Sequence, residues 1–230
     1  MPCRWKKKKR GDTMPKYGVD VSYHQGIINW HTVRKNGISK DKPCDFAIIR
    51  LGYGQGNLDK QAYSNLDGCE AEGIARGIYW FSYAYTEEMA VSEADHVKKL
   101  LQGRKLELPV YFDWEYASRD YAAKKGRSIP NDLLQRMTRG FCKRLEASKY
   151  FVGVYTNKDY YPKFGGTELF TDFSMWYASW TKECPRKTPL WQNDAHAHIR
   201  GIPNECDTDV LFTDLISTIT KKGFNGYGKK

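Results

Sequence analysis

The stretch "LPVYFDWEY", residues 108–116, sets two carboxylates, Asp113 and Glu115, inside a run that is otherwise apolar or aromatic. The run reads as a buried strand. Side chains alternate faces along a strand, which would put Tyr111, Asp113 and Glu115 on one side and Val110, Phe112 and Trp114 on the other. An isolated buried charge is very costly, so each acid needs a partner, a raised pKa or a chemical task. The spacing alone leaves two readings open. Either the strand ends there and both acids reach solvent, or the pair is held for acid–base chemistry.

Outward from this run, short apolar strands alternate with helical patterns. Strand signals fall at "YGVDVS" (17–22), "DFAIIRLGYG" (45–54), "GIYWFSYAY" (77–85), "YFVGVYTN" (150–157), "MWYASW" (175–180), "PLWQ" (189–192) and "DTDVLF" (207–212). A helix runs from an Asn29 cap toward Gly37, a second lies within 59–74, and a third follows Thr86 with Glu87 and Glu88 in its first turn. Ala90, Ala94, Val97 and Leu101 share one face of that third helix. A fourth, near 130–148, buries Leu134, Met137, Phe141 and Leu145, and a short helix ends the chain.

This alternation predicts an α/β chain with a parallel sheet covered by helices. Eight strands in order suggest closure into an irregular TIM-like β/α barrel, about five βα units followed by strands with few helices. An open doubly wound sheet would need a glycine-rich phosphate turn after its first strand, and "DVSYHQG" is not GxGxxG.

Composition bounds the rest. At 230 residues and 40% hydrophobic content the chain suits one large domain, expected over residues 14–230. Nothing resembles a membrane-spanning run, and the basic start "MPCRWKKKKRGDT" has no apolar stretch behind it, so no secretory signal is read. Those first 13 residues carry half of the net charge of +10 and are expected to form a disordered tail with affinity for anionic polymers. Met14 opens "MPKYGVDVS", which reads like a start of its own. The six cysteines lack a CxxC pair, which favours free thiols. His96, His196 and His198 show no metal-ligand spacing, and His24 and His31 read as solvated or packed, so no metal or other cofactor is expected. Nucleic-acid binding would need a basic surface interleaved with stacking aromatics, which the domain lacks.

In such a barrel the C-terminal ends of the strands form the active face. Asp20 ends the first strand, Asp113 and Glu115 the fourth, and Asp207 and Asp209 flank the last, so acids from distant parts of the chain would converge on one mouth.

The ordered segments "GVDVSYHQG", "FAIIRLGYG", "GIYWFSYA", "LPVYFDWE", "VGVYTN", "MWYASW", "LWQ" and "DTDVLF", spanning residues 17–212, resemble glycoside hydrolase family 25, the Chalaropsis-type lysozymes. The resemblance implies an N-acetylmuramidase that cleaves the β-1,4 bond between N-acetylmuramic acid and N-acetylglucosamine in bacterial peptidoglycan. It implies Glu115 as general acid, Asp113 as the ionised carboxylate that raises its pKa, and Asp20 and Asp207 as supporting acids. Cys206 stands where a small apolar residue is expected, which loosens the Asp207 match. Arg50 and Gln192, with Asp209, are candidates for hydroxyl or acetamido contacts, and Tyr53, Tyr79, Tyr83, Tyr155, Trp180 and Trp191 for sugar faces; core packing is the alternative for each ring. A monomer acting at the bacterial wall is expected, reached as a phage-type lysin leaving the cytoplasm by a non-classical route or as part of a phage particle. "FDWEY" also resembles the end of the chitinase motif of family 18, with Tyr111 in place of its middle Asp, and a barrel that binds wall glycan without cutting it is a further alternative.

Overall fold

A computed structural model describes residues 14–228. In chain order the elements are β1 (Lys16–Val21), α1 (Trp30–Asn36), β2 (Phe46–Tyr53), β3 (Asn57–Leu58), α2 (Ala62–Ala71), β4 (Ala75–Phe81), α3 (Glu87–Leu100), β5 (Val110–Asp113), α4 (Tyr116–Lys124), α5 (Asn131–Glu146), β6 (Val152–Asn157), α6 (Leu169–Asp172), β7 (Ser174–Ala178), β8 (Leu190–Ala197), β9 (Cys206–Leu211) and α7 (Leu215–Lys222). The strands join in the order β1-β9-β8-β7-β6-β5-β4-β2, and β1 pairs with β2 to close the ring, with β3 a short appendage on β2. The expected barrel is therefore present, and its helices thin out after α5.

One expectation needs correcting. The sheet is not parallel throughout: β9 runs antiparallel to both β8 and β1. The β8–β9 connection is a hairpin loop without a crossover helix, and a short connection can return a strand only in the opposite direction. The consequence reaches the site, because it is the N-terminal end of β9, with Asp207, that lies at the mouth beside Asp20.

Alternation sorts the side chains. Phe46, Ile48, Leu108, Tyr111, Trp176, Leu190 and Leu211 point into the barrel, and α7 plugs its lower end with Leu215 and Ile219. Two inward glycines make room for these rings. A Cβ on Gly18 would lie 2.4 Å from the Phe46 ring, and one on Gly153 would lie 2.4 Å from the Tyr111 ring. The outward face packs on the helices. Leu134, Met137, Phe141 and Leu145 of α5 are all buried, with Phe141 4.8 Å from Phe112. Burying each such side chain is worth roughly 1.5–3 kcal/mol.

The local signals for helix ends hold. Thr86 caps α3 by accepting from the Met89 N–H at 3.2 Å, and Asn29 caps α1 by accepting from Thr32 at 2.9 Å. Cys44, Cys69, Cys142, Cys184 and Cys206 are all free thiols. The basic segment 1–13 lies outside the described residues. Among those described, no helix is long and apolar enough to cross a membrane.

Candidate active site

The strand through "LPVYFDWEY" is shorter than its pattern suggests. β5 ends at Asp113, and Glu115 is the extended residue that caps α4, its N–H donating to Ser118 Oγ at 3.1 Å. Tyr111 and Asp113 point inward as expected. Trp114 is buried on the opposite side, its indole N–H donating to the Ala84 carbonyl at 2.9 Å. Glu115 thus reaches Asp113 from a strand-to-helix turn rather than from the same strand face.

Two strands, β1 and β9, deliver the remaining acids. Asp20 on β1 is the register partner of Asp207 on β9, and Asp209, two residues along β9, faces Gln192 on β8. Gln192 donates to Asp20 Oδ2 at 2.8 Å and accepts from the Tyr155 hydroxyl at 3.0 Å. The Trp176 indole N–H donates to Asp209 Oδ1 at 2.7 Å. Tyr79 and Tyr155 both set their rings edge-on to Trp176, at 5.8 and 4.8 Å. Above an apolar interior, the mouth is therefore floored by Trp176 and walled by carboxyls.

Electrostatics at this mouth is dominated by loss of water. Burial lifts Asp20 well above the ordinary carboxylate range, and the charge on Asp209 adds to it. Burial likewise lifts Asp207 to about 9 and Asp209 to about 8. Asp209 Oδ2 and Asp113 Oδ1 are buried with no hydrogen-bond partner, a costly state for ionised oxygens that a bound proton relieves. Among the described residues no lysine, arginine or histidine forms an ion pair with any of the five acids. Arg50 is the cation whose charge pulls Asp113 down, yet its Nε is bound to Asp59 Oδ2 at 2.8 Å.

Burial alone raises Glu115. Asp113 is lifted well above its usual range by burial first, then by Glu115 and Asp20. The expectation that Asp113 simply stays ionised while repelling a proton onto Glu115 is too simple: both carboxyls are raised, and the pair titrates as a unit.

The rest of the candidates divide. Arg50 lies over the rings of Tyr23 and Tyr53, at 4.9 and 5.5 Å, and Tyr53 meets Tyr83 edge-on at 6.4 Å. Tyr83 feels the charges of Asp113 and Glu115, so these two tyrosines form a rim beside the acids. Trp180 stands on the loop after β7 and is 66% exposed. Trp191 does not join them. It lies on the face of β8 opposite Gln192, its N–H donates to the Ser179 carbonyl at 2.8 Å, and its ring stacks on Phe212. Its role is to hold the base of the loop that carries Trp180.

Three contributors escaped the sequence reading. Asp59 fixes Arg50 and also accepts from the backbone of Tyr23 and Gln61. Trp176 was read only as part of a strand. Glu93, fully buried on α3, accepts from the Tyr83 N–H and the Gln55 amide, each at 3.1 Å, and so steadies the rim; burial lifts it to about 8. The one available signal was a glutamate on the apolar face of α3, between Ala90 and Ala94. Among the described residues no group of three or more His, Cys, Asp or Glu is placed to hold a metal ion.

A closed β/α barrel whose mouth gathers carboxyls without a paired cation is an arrangement suited to glycoside hydrolysis. The chain belongs to glycosyl hydrolases family 25, whose model matches residues 19–202. Lysozyme M1 of Streptomyces globisporus is 37% identical over 71 residues, which are 31% of this chain and 22% of that protein. The modular autolysin LytC of Streptococcus pneumoniae superposes with a TM-score of 0.74 at 25% identity. That match covers 87% of this chain and 47% of LytC, so the chain spans about half the autolysin's length. A bacterial lysozyme from Streptomyces coelicolor, 20% identical, shares the fold at a TM-score of 0.72 over 95% of this chain and 100% of its own.

Proposed function

We propose that this chain is a lysozyme that hydrolyses the β-1,4 bond between N-acetylmuramic acid and N-acetylglucosamine in peptidoglycan. The observation that carries the reading is the set of five acids, Asp20, Asp113 and Asp209 buried and Glu115 and Asp207 partly so, gathered from β1, β5, the β5–α4 turn and β9 with no cation paired to them among the described residues. Family membership and the lysozymes it resembles support the substrate class.

Glu115 is the general acid. It is partly exposed where its neighbour Asp113 is buried, so a glycosidic oxygen can reach it. Asp113 is the inner member of the pair. Burial raises both carboxyls, with the Arg50 charge a smaller, opposing influence on Asp113. The transferable proton is assigned to Glu115 because the outer carboxyl is the one a glycosidic oxygen reaches. Asp113 then stabilises the positive charge that develops at the sugar carbon. Asp20, tethered by Gln192, and Asp207 support the pair. Tyr53, Tyr79, Tyr83, Tyr155 and Trp180 offer ring faces to sugars, with Arg50, Gln192 and Asp209 framing the mouth. Residues 14–230 act as one catalytic domain, as a monomer at the wall, and the basic segment 1–13 adds attraction to anionic wall polymers.

Digestion of purified peptidoglycan, with mass spectrometry of the new reducing ends, tests the reading. Muramic acid ends are expected. Glucosamine ends would assign a different bond, and no new ends would leave a barrel that binds glycan without cleaving it.

A further inference from the structure

Outside the mouth, a cleft of about 370 Å³ lies against β7, lined among others by Tyr161, Phe170, Phe173, Met175, Arg186 and Lys187. Its origin is topological. The connections β2–β4, β4–β5 and β5–β6 lay helices over their strands, but β7 and β8 are joined by an irregular crossover, residues 179–189. The flank a helix would cover is left partly open.

The chemistry of this cleft is specific. The Arg186 guanidinium lies 3.7 Å from the centroid of the Tyr161 ring, and Tyr161 stacks on Phe170 with only 7° between the rings. Arg186 Nε is buried without a partner. Several other arginines of the chain are matched to carboxylates: Arg104 with Asp67, Arg136 with Glu87 and Asp132, Arg144 with Asp95. Near the cleft, Glu168 and Asp172 are already taken by Arg139. The crossover itself carries Lys182, Arg186 and Lys187 against the single carboxylate Glu183. Arg186 is thus fixed by stacking, has an unmet donor, and lacks an acid of its own.

We propose that this cleft is a second binding site, for an oxyanion (carboxylate or phosphate ester) borne on a sugar or polyol. A stacked guanidinium offers its edge to an oxyanion in fork geometry, Lys187 adds a point charge, and the aromatic and Met175 surface accepts C–H faces. The assignment to a wall polymer rests on the proposed function. The crossover that carries Arg186 and Lys187 also carries the exposed Trp180 on the loop after β7.

Amide NMR shifts and affinities would be followed while the whole chain is titrated with an oligomer of glycerol phosphate and, separately, with N-acetylmuramic acid. Shifts at Thr171, Met175 and Lys187 are expected with at least one probe, weakened about tenfold or more in Arg186→Gln, which keeps the stem but loses the charge. Arg186→Lys should fall between, and it serves if the Gln variant folds poorly. A response to the phosphate oligomer alone assigns a phosphate-bearing polymer; a response to the monosaccharide alone assigns a carboxylate of the glycan. Cleavage of short soluble glycans should be the same in Arg186→Gln and the parent, which separates failure of this site from failure at the mouth. No binding by either probe, or equal binding by Arg186→Gln, overturns the proposal, as does a response confined to residues around Asp113.

Discussion

Below the barrel, where the strands begin, Glu107 is largely buried, and Arg76 grips it through Nη2 at 3.1 Å and Nε at 3.2 Å while its backbone N–H donates at 2.8 Å. Tyr227 donates to the same carboxylate, and Glu70 balances the arginine at 2.8 Å. Burial pushes Glu107 up, but these bonds outweigh it and hold the group below its usual range. Above the barrel, where the strands end, Asp20, Asp113, Asp207 and Asp209 meet the same loss of water without a cation of their own, and all are raised. Arg50 stands close enough to serve them, yet Asp59 holds it. The two ends spend similar chemistry on opposite results: one settles a charge, the other keeps protons on carboxyls near neutral pH, which is what acid catalysis needs.

The sharpest test of this contrast is Glu115→Gln. A neutral amide preserves shape and removes the transferable proton, so wall lysis should fall by about 10²- to 10⁴-fold. Folding should survive, because the site already disfavours charge. Near-native lysis by a well-folded variant, measured as turbidity loss of cell walls, would show that the proton comes from elsewhere.

Breaking the lower end should damage stability and spare chemistry. Arg76→Met removes the guanidinium and leaves Glu107 mostly enclosed, with the backbone N–H of residue 76 and the Tyr227 hydroxyl as its remaining donors. Removing one partner of a buried pair costs about 3–5 kcal/mol, and the partial exposure of Glu107 argues for the lower figure. Urea unfolding would read the loss, and cleavage of soluble glycan per folded molecule should not change. A loss under about 1 kcal/mol would mean that the bridge behaves like a surface pair.

Much of the lower and middle barrel was legible because its signals are local. Thr86, with two glutamates behind it, marks a helix start, and the stripe from Leu134 to Leu145 marks a buried face. The acids were legible as residues near strand ends, and the barrel hypothesis brought them together. What the pattern hid depends on pairings far apart in sequence. Asp59, between Leu58 and Lys60, looks like any loop acid until Arg50 meets it. Trp191 could not be assigned a face, because Leu190 beside it is equally apolar and a one-residue change of parity exchanges the two. The direction of β9 was hidden for a related reason: "DTDVLF" reads the same in a parallel or an antiparallel neighbour. α4 was missed because the aromatic run "YFDWEY" masks its start, although Ala117, Ala122 and Ala123 favour a helix.

The smallest effect is a difference in pH response between the two ends. Asp209 is raised to about 8, so its share of stability is complete below the ordinary value of 3.8 and is lost as pH rises through about 8. Glu107 is lowered, so its share is complete above the ordinary value of 4.5 and is lost as pH falls through the folded value. Asp209→Asn removes the first dependence while its side-chain oxygen can still accept from the Trp176 indole. Near pH 4, close to the ordinary value, the variant and parent should melt together. At pH 9 the variant should be the more stable, by at least about 1 kcal/mol or some 2–4 °C in Tm for a domain of this size. Thermal melts from pH 4 to 9 would show a gap that opens between the ordinary value and about 8. A variant weaker than the parent at every pH would mean that Asp209 is ionised throughout and that the 2.7 Å bond from Trp176 is a charge-assisted one. The upper end would then hold at least one settled carboxylate, and the contrast with Glu107 would narrow to Asp20, Asp113 and Asp207.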